Sequence, residues 1–438
     1  MRLEIFQIRG DNHSKKGKAY HHVLGVLILI SVFLENQNIC MAPLDNQQGG
    51  QRSQGGMIMK VRILAILPFI GLALFFSGCD GSDSTSTSES EGDYPVIIPL
   101  EYFDPATINT ANWMSKLFDV TPLNQIVFPG SHDAGMSKAD NCNPNIVKTE
   151  KMTKTQKWNI GQQLIAGSRY FDIRLKYAAG SELMTYHRTE GKGCDGEVFR
   201  DIMKATGEFL MTYPTEFAIF KFSKFYHHGT HDAQSARDQL CLAMQAWDDY
   251  FKMPEHGGRE IFYKRGCTMH DNLFHFLRVS DLRGKILAVF DPDSGSIIDP
   301  TKGRFSYWDV GNGGAWWLMN FPVYDEYSNT SDYFVMAVDQ LKKYKIYGGF
   351  FKLHLFLLSW TLTPGVVTWN DDIENLAKKA NGHLPFVMRR DIWGKHPEKF
   401  FPNIVYIDFV DIGINQHIIQ YNPAVRTVWF QSLSAVNN

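Results

Sequence analysis

The chain of 438 residues has no excess of either charge: 44 Lys and Arg residues stand against 46 Asp and Glu residues, which gives a net charge of -2. Binding to nucleic acid through bulk positive charge is therefore not expected, and we predict no nucleic-acid partner. Composition gives no sign of repeats or disorder beyond the N-terminal part. No Cys-x-x-Cys pair is present, which argues against a structural zinc site.

The segment that begins at Met57, MIMKVRILAILPFIGLALFFSGCDG, has the composition of an export signal. A short basic stretch precedes an apolar run, Ile63 to Phe76, and small residues stand before Cys79. The run falls short of the ~20 residues of a comfortable membrane span, although a membrane anchor is the alternative. We predict a lipoprotein-type signal over 57–79, lipidation of Cys79, and a flexible Ser-rich linker over 80–95.

Residues 1–56 hold a second apolar run, Val23 to Phe33, and a Gln- and Gly-rich stretch, but no pattern of a folded domain. We interpret them as a wrongly assigned or disordered extension, with translation starting at Met57 or Met59. The protein is then expected to be exported in a bacterium, either anchored to a membrane as a lipoprotein or secreted. One folded domain is predicted over 96–438.

Export would place the cysteines in an oxidising compartment, where disulfide bonds form. Of the six cysteines, one precedes the leader and Cys79 would carry lipid, which leaves Cys142, Cys194, Cys241 and Cys267. Four cysteines allow three pairings. We favour Cys142–Cys194 and Cys241–Cys267, because each pair would join loops that neighbour each other along the chain.

From Tyr94 onward, short runs rich in Ile, Val, Phe and Tyr alternate with longer stretches of helical spacing. This alternation predicts a parallel β/α architecture. The predicted strands cover 125–130, 168–175, 183–187, 217–223, 285–291, 349–359, 384–392 and 403–410. The predicted helices cover 196–214, 236–252 and 371–380, the last with an aspartate cap. The pattern favours a single distorted TIM-type (βα) barrel, irregular because some connections look non-helical.

In such barrels the catalytic side chains lie at the carboxyl ends of the strands. The stretch FPGSHDAGM places His132 and Asp133 after the first predicted strand. The second carries Arg174, with an aspartate two residues earlier on the same face, and the third ends at His187. The last contains Asp408. A turn or an ordinary strand end would explain each residue alone, but together they would converge on one rim.

Two histidines with nearby carboxylates supply a general base and a general acid near neutral pH. An arginine between them offers paired donors to phosphate oxygens and to the charge that builds there. This set suits cleavage of a phosphodiester without a metal. It suits acyl transfer less, because the sequence shows no serine–histidine pair in a strained elbow.

These residues stand in motifs that resemble a known family. FPGSHDAGM, GSRYFDIRLKY, LMTYHR, YPTEFAIFKFSK, RGKILAVF, VYDEY and IVYIDFV follow in order the motifs of the X domain of phosphatidylinositol-specific phospholipase C, over roughly 108–425. The small, metal-free bacterial enzymes are the most similar. The resemblance implies an enzyme that cleaves phosphatidylinositol, or a related inositol lipid, to diacylglycerol and a 1,2-cyclic inositol phosphate without a cofactor.

By this resemblance, His132 is the general base that takes the proton from the inositol 2-hydroxyl, and Asp408 is its orienting partner. Arg174 stabilises the phosphate. His187, aided by Asp133, protonates the departing diacylglycerol oxygen. Calcium-dependent relatives carry an acidic ligand at the position of the arginine, so the resemblance implies a site without metal.

Substrate recognition is expected from the same rim. The resemblance places Asp325 on inositol hydroxyls and Tyr327 against the face of the sugar. Lys221 is assigned as a substrate-binding lysine, although the family's lysine aligns nearest Ser223. Asp291 stands where the bacterial enzymes carry an inositol-binding arginine, so the resemblance does not extend to that contact.

Two alternatives stay open. One is a metal-dependent glycerophosphodiester phosphodiesterase in a similar barrel, and the other is a non-catalytic lipid-binding surface protein. We expect a monomer whose partners are a phospholipid membrane and an inositol phospholipid. The segment His227 to Asp232 is interpreted as a solvated loop, and Trp316 with Trp317 as either core or a loop that enters a bilayer.

Overall fold

The computed structural model of the chain describes residues 94–143, 149–177, 180–189, 191–225, 233–266, 277–291, 297–314, 320–349, 352–365, 372–395 and 402–430. The chain divides into two units, 1–88 and 89–438, and all the described residues belong to the second. The predicted leader with Cys79, the segment His227 to Asp232, and Trp316 with Trp317 lie outside the described residues, so the predictions on them stay predictions. Cys267 also lies outside the described residues. Within the described ranges, no helix combines the length and the apolar character needed to cross a membrane.

Twelve strands lie in the part of the chain that the structure describes. They are β1 (Tyr94–Ile97), β2 (Phe128–Ser131), β3 (Tyr170–Lys176), β4 (Met184–Thr189), β5 (Lys192–Val198), β6 (Ala218–Ser223), β7 (Ile286–Phe290), β8 (Arg304–Asp309), β9 (Phe321–Tyr324), β10 (Leu355–Ser359), β11 (Ile404–Ile407) and β12 (Thr427–Phe430). Strand β1 pairs with β12, and so the last two residues of the predicted linker, 94 and 95, are in a strand.

Eight of these strands run parallel and close into a barrel. In order around the barrel they are β2, β3, β6, β7, β8, β9, β10 and β11, and β11 pairs with β2 to complete the ring. Strands β4 and β5 extend the edge of β3 as an antiparallel hairpin outside the ring. The predicted TIM-type barrel is therefore confirmed.

Seven α-helices accompany the strands among the described residues. They are α1 (Ile160–Ile165), α2 (Phe199–Thr212), α3 (Ala233–Lys252), α4 (Val279–Leu282), α5 (Tyr333–Tyr347), α6 (Ile373–Val387) and α7 (Ile412–Ile419). Helices α2, α3 and α6 are the three predicted ones, and Asp372 caps α6 by accepting from the backbone N–H of Asn375. The described residues between β7 and β8 and between β8 and β9 form short 3-10 turns without an α-helix. The barrel is irregular in the way that the sequence predicts.

Two of the predicted strands are wrong as barrel strands. The stretch 183–187 becomes β4 in the hairpin, and 384–392 continues α6 into a π-helical turn over Met388–Trp393. The apolar run in 384–392 is the buried side of that helix, since Leu384, Val387 and Met388 are all in the core. The two barrel strands in their place, β8 and β9, were not predicted.

The interior of the barrel follows one rule in all eight strands. The inward side chain nearer the amino end is apolar and belongs to one core cluster: Phe128, Tyr170, Ile219, Leu287, Phe305, Phe321, Leu355 and Ile404. Four residues later, on the same face because strand side chains alternate, stands a polar residue that lines the cavity: His132, Arg174, Ser223, Asp291, Asp309, Asp325, Ser359 and Asp408. An apolar floor thus supports a polar cavity at the carboxyl ends of the strands.

The β4–β5 hairpin packs on the loop that follows β2. A disulfide bond joins Cys142 on that loop to Cys194 on β5, with Cα atoms 4.2 Å apart, as predicted. At Gly135 the loop lies so close to the hairpin that only glycine fits: a Cβ there would lie 2.6 Å from Thr185 Oγ1. The same Thr185 hydroxyl donates to the Gly135 carbonyl. The predicted Cys241–Cys267 bond is wrong: Cys241 is a free thiol on α3, turned against an apolar cluster.

Candidate active site

The structure brings all five predicted catalytic residues to one end of the barrel. His132 follows β2 and donates its backbone N–H to the Ile407 carbonyl, 3.0 Å away. Arg174 lies on β3, His187 on the β4 strand of the hairpin, and Asp408 directly after β11. The hairpin therefore delivers one histidine from outside the ring, while the parallel strands deliver the other residues from within it.

His132 is held by a carboxylate from the neighbouring strand end. Its Nδ1 lies 2.8 Å from Asp408 Oδ1, and its ring packs edge-on to Tyr406 with centroids 5.1 Å apart. Asn381 in turn donates to the backbone carbonyl of Asp408 at 2.8 Å, which holds the main chain at this residue. When Nδ1–H donates to Asp408, Nε2 is the nitrogen that can accept a proton from a ligand in the cavity.

The electrostatic surroundings favour a proton on this histidine. Burial alone would lower the pKa of His132, but the carboxylates of Asp133 and Asp408 outweigh it, and the pKa lies above the ordinary value of an imidazole. Arg174 acts in the opposite direction without reversing the result. His132 is therefore a better proton acceptor here than an ordinary imidazole.

Arg174 lies between two buried aspartates. Its Nε is 2.6 Å from Asp133 Oδ1 and 3.7 Å from Asp172 Oδ2, while its Nη2 reaches to 3.5 Å from His132 Nε2. Burial would lower the pKa of Arg174, but the two carboxylates outweigh it and raise the pKa, so the guanidinium stays charged. Asp133, which carries the nearer carboxylate, adopts a left-handed backbone conformation with φ 39°.

Asp172 is the carboxylate beneath the arginine. Tyr406 donates to its Oδ2 at 2.8 Å and Ser223 to its Oδ1 at 2.9 Å. Burial would raise the pKa of Asp172, but Lys221 and Arg174 lower it below the usual range. The aspartate is therefore ionised, and it holds the arginine in place by charge and by hydrogen-bonded partners of its own.

His187 faces the same point from the hairpin. Its Nδ1 lies 3.0 Å from the Thr153 carbonyl and 3.5 Å from Asp133 Oδ2. Burial lowers the pKa of His187, and the positive charges of Arg174 and His132 lower it further, whereas Asp133 opposes them. The carbonyl fixes Nδ1 as the donor, so Nε2 is the nitrogen available to a ligand.

The carboxylates of Asp133 and Asp172 could in principle bind a metal ion. Ligand atoms of His132, Asp133 and Asp172 all lie within 4.8 Å of one another, so these three residues could hold a cation. The guanidinium of Arg174 already lies against both carboxylates. A divalent ion would have to displace that charge or lie beside it, and the arginine therefore disfavours the metal.

The cavity above these residues has a volume of about 690 Å³. The predicted substrate-binding residues Lys221, Asp325 and Tyr327 all line it, and Lys221 Nζ forms an ion pair with Asp325 Oδ2 at 2.7 Å. Tyr307, which is not among the predicted site residues, donates to the same oxygen at 2.6 Å. Asp291 also lines the cavity and accepts from the backbone N–H of Lys224.

Several site residues were not predicted. Tyr406 and Ser223 hold Asp172, Thr153 fixes His187, and Tyr307 holds Asp325. Tyr406 stands two residues before Asp408, so strand alternation alone would have turned both side chains inward. Thr153 follows the short 3-10 turn Glu150–Met152, far from the hairpin in sequence, and no sequence signal relates the two.

No family model matches the chain. Two curated bacterial proteins, both called 1-phosphatidylinositol phosphodiesterase, do match it. That of Listeria monocytogenes is 28% identical over 188 residues, which cover 42% of this chain and 49% of the relative. That of Staphylococcus aureus is 26% identical over 254 residues, which cover 54% of this chain and 71% of the relative. The chain thus spans about half the length of the Listeria relative.

Among solved structures, the phosphatidylinositol-specific phospholipase C from Listeria monocytogenes superposes with a TM-score of 0.52 at 21% identity, over 72% of this chain and 99% of that one. The chain is similar in sequence and in fold to bacterial phosphatidylinositol-specific phospholipases C. The resemblance that the motifs indicate is therefore confirmed. The solved phospholipase supports the barrel fold, and the curated phosphodiesterases carry the similarity in sequence.

Proposed function

We propose that the protein is a phosphatidylinositol-specific phospholipase C. It cleaves phosphatidylinositol or a related inositol phospholipid to diacylglycerol and a 1,2-cyclic inositol phosphate. One observation carries the proposal: two histidines have their Nδ1 atoms held, by Asp408 at 2.8 Å and by the Thr153 carbonyl at 3.0 Å. Both rings lie within 3.6 Å of the Asp133 carboxylate that also holds Arg174. Both Nε2 atoms are then available to a phosphodiester beside Arg174.

In the first step, His132 Nε2 takes the proton of the inositol 2-hydroxyl, and the hydroxyl oxygen attacks the phosphorus. The nucleophile and the phosphodiester belong to one molecule, so no second reactant has to be recruited. The imidazolium that forms is stabilised by Asp408 through the 2.8 Å contact. The raised pKa of His132 makes it an effective acceptor for that proton.

Arg174 stabilises the negative charge that grows on the phosphate oxygens. Its guanidinium is fixed by Asp133 and Asp172, so it needs little reorganisation when the charge develops. His187 then gives the proton from Nε2 to the departing oxygen of diacylglycerol. Asp133, 3.5 Å from His187 Nδ1, favours the protonated histidine that this step requires.

The resting protonation state is the opposite of the productive one. The pKa of His132 is raised and the pKa of His187 is lowered, yet the reaction needs His132 neutral and His187 protonated. The phosphodiester brings a negative charge between the histidines, which favours a proton on His187. We infer that a minor protonation state of the free enzyme starts the reaction, and the pH profile is the place to observe it.

The inositol ring is proposed to bind over Lys221, Asp325 and Tyr327, which line the cavity. Tyr327 is well exposed, so its ring is accessible at the mouth of the cavity. Asp325 is engaged by Lys221 and by Tyr307. The lysine and the aspartate therefore act as one ion-paired unit that offers both donors and acceptors to ring hydroxyls.

The metal-dependent phosphodiesterase is the second candidate, because His132, Asp133 and Asp172 could hold a cation. Arg174 supports the metal-free alternative, since its charge takes the place that a cation would need. The two are separated by turnover measured with EDTA and with added calcium or magnesium. We expect unchanged turnover in EDTA, whereas loss in EDTA and recovery with the metal would favour the second candidate.

Export and a lipid anchor on Cys79 are part of the proposal, and they rest on the leader-like sequence at 57–79. The anchor would hold a monomeric enzyme at the membrane that carries its substrate. Cys79→Ala should abolish incorporation of labelled palmitate in a bacterial host and release the protein from the membrane fraction. Incorporation that persists in this variant would contradict lipidation at that residue.

The proposed function is tested with labelled phosphatidylinositol and other phospholipids. His132→Ala should reduce release of diacylglycerol to background, because it removes the imidazole whose Nε2 is proposed to take the 2-hydroxyl proton. His256→Ala, at a histidine beyond the end of α3, serves as the matched control and should retain turnover. Full activity of His132→Ala would rule out the proposed mechanism.

A further inference from the structure

Helix α5 is apolar on two opposite sides. Its inner side is buried against the barrel, where Gln340 accepts from the Ser359 backbone N–H at 3.0 Å and donates to the Glu326 carbonyl at 2.9 Å. Its outer side carries Phe334, Val335 and Val338, whose exposed fractions are 73%, 55% and 68%. We call these three side chains the α5 patch. A helix of a soluble domain needs one apolar side, so the second one calls for a partner.

The α5 patch is continuous with the mouth of the cavity. Tyr327 and Asn329, just before the helix, both line the cavity. The Thr330 carbonyl accepts from the backbone N–H of Thr363, a residue of the cavity rim that follows β10. The side chain of Asp332 caps the helix by accepting from the N–H groups of Phe334 and of the next residue. The first turn of α5 is therefore fixed at the rim.

Charge changes along the same outer side of the helix. After Val338 the next exposed positions are Lys342, one turn further from the rim, and Lys345 and Ile346, about two turns further. At a rise of about 1.5 Å per residue, Lys342 lies roughly 6 Å beyond Val338. An apolar end followed by lysines at that distance matches the boundary between acyl chains and phosphate groups of a bilayer.

We propose that the α5 patch is a docking surface for a phospholipid bilayer, with Phe334 and Val338 entering the acyl region and Lys342 lying at the level of the phosphates. The proposal rests on the proposed function, since the substrate of such an enzyme is held in a membrane that the cavity mouth must meet. Three side chains are too few to cover the roughly 800 Å² per partner that a stable dimer buries, which disfavours a second copy as the occupant.

The test uses the full chain with Cys79→Ala, so that acyl chains on the cysteine do not mask the contact. Phe334→Ser combined with Val338→Ser is compared with Ile346→Ser, an exposed apolar position at the other end of the same helix. Sedimentation with vesicles of phosphatidylcholine and phosphatidylinositol measures binding. The double variant should bind about tenfold more weakly or worse, as expected for losing two partly immersed apolar side chains, and the control should bind like the parent.

Turnover separates docking from chemistry. On phosphatidylinositol in vesicles, the double variant should lose activity in proportion to its binding. On water-soluble glycerophosphoinositol, it should match the parent, because neither residue lies in the cavity. Unchanged vesicle binding would overturn the docking surface and leave the function intact. A parent chain that cleaves neither substrate would overturn the function, while sedimentation would still decide the docking. A dimer that the double variant converts to monomer, with vesicle binding unchanged, would assign the patch to a second copy instead.

Discussion

Asp408→Asn tests how the two histidines share their protons. The pKa of His132 is raised, mainly because Asp133 and Asp408 outweigh burial, and the pKa of His187 is lowered by burial. The reaction needs the first neutral and the second protonated. In the profile of kcat/KM against pH, the alkaline limb then follows His132 and the acid limb follows His187.

The substitution removes the negative charge at the 2.8 Å contact with His132 and leaves an amide of the same shape. The pKa of His132 should fall, so the alkaline limb should move to lower pH while the acid limb stays in place. A hydrogen bond to a charged group contributes about 1.5–3 kcal/mol, and the imidazolium formed during the reaction loses it. The maximum of kcat/KM should therefore drop roughly 10- to 150-fold.

The assay measures release of inositol phosphate from glycerophosphoinositol, because a soluble substrate removes any effect of vesicle binding. Asp411→Asn is the matched control. Asp411 lies three residues after Asp408 and pairs with Lys157 on the surface, so the pH profile of this variant should equal that of the parent. A shift of the acid limb in Asp408→Asn, with the alkaline limb unchanged, would refute the protonation order. An unchanged profile would show that Asp408 does not act on the base at all.

Two further outcomes follow from particular contacts. Arg174→Lys keeps the positive charge but loses the planar guanidinium that lies between Asp133 and Asp172. We expect kcat/KM to fall on the order of 100-fold or more, while the midpoint of thermal unfolding changes little. Turnover equal to that of the parent would show that the arginine does not contact the phosphate. Cys142→Ser opens a disulfide bond between residues 52 apart in sequence, so the free energy of unfolding should fall by about 4 kcal/mol. Denaturant unfolding measures this loss, with Cys241→Ser, at a free thiol, as the control. Equal losses in both variants would contradict a stabilising role of the disulfide bond.

A physical reason underlies the prediction of the barrel and of three of the five candidate catalytic positions, His132, Arg174 and Asp408. In every barrel strand an inward apolar residue is followed four positions later by an inward polar one, as in Phe128 with His132 and Ile404 with Asp408. Alternation along a strand places both on one face, and closure of the ring brings the polar ends together. This local pattern is readable wherever a strand is recognised.

The wrong and missing predictions concern segments whose structure is decided by tertiary packing and not by the local sequence pattern. Strand β9 is only four residues long and contains Pro322, and β8 carries serine and aspartate, so neither has a strong strand signal. The run 384–392 has the composition of a buried strand, but the cap at Asp372 starts a helix whose buried side continues through it. Tyr307 was missed because its strand was missed. The contact between Thr153 and His187 depends on the hairpin folding over the barrel, which the sequence pattern does not encode.

In the proposed reaction the inositol 2-hydroxyl attacks the phosphorus of its own molecule beside Arg174. Phosphorus NMR of the reaction with phosphatidylinositol, recorded in EDTA from the first turnovers onward, tests it most directly. We expect a five-membered cyclic phosphate resonance to appear first, with an equal amount of diacylglycerol. A linear inositol phosphate formed from the start without the cyclic species, or no reaction until a divalent metal is added, would contradict it.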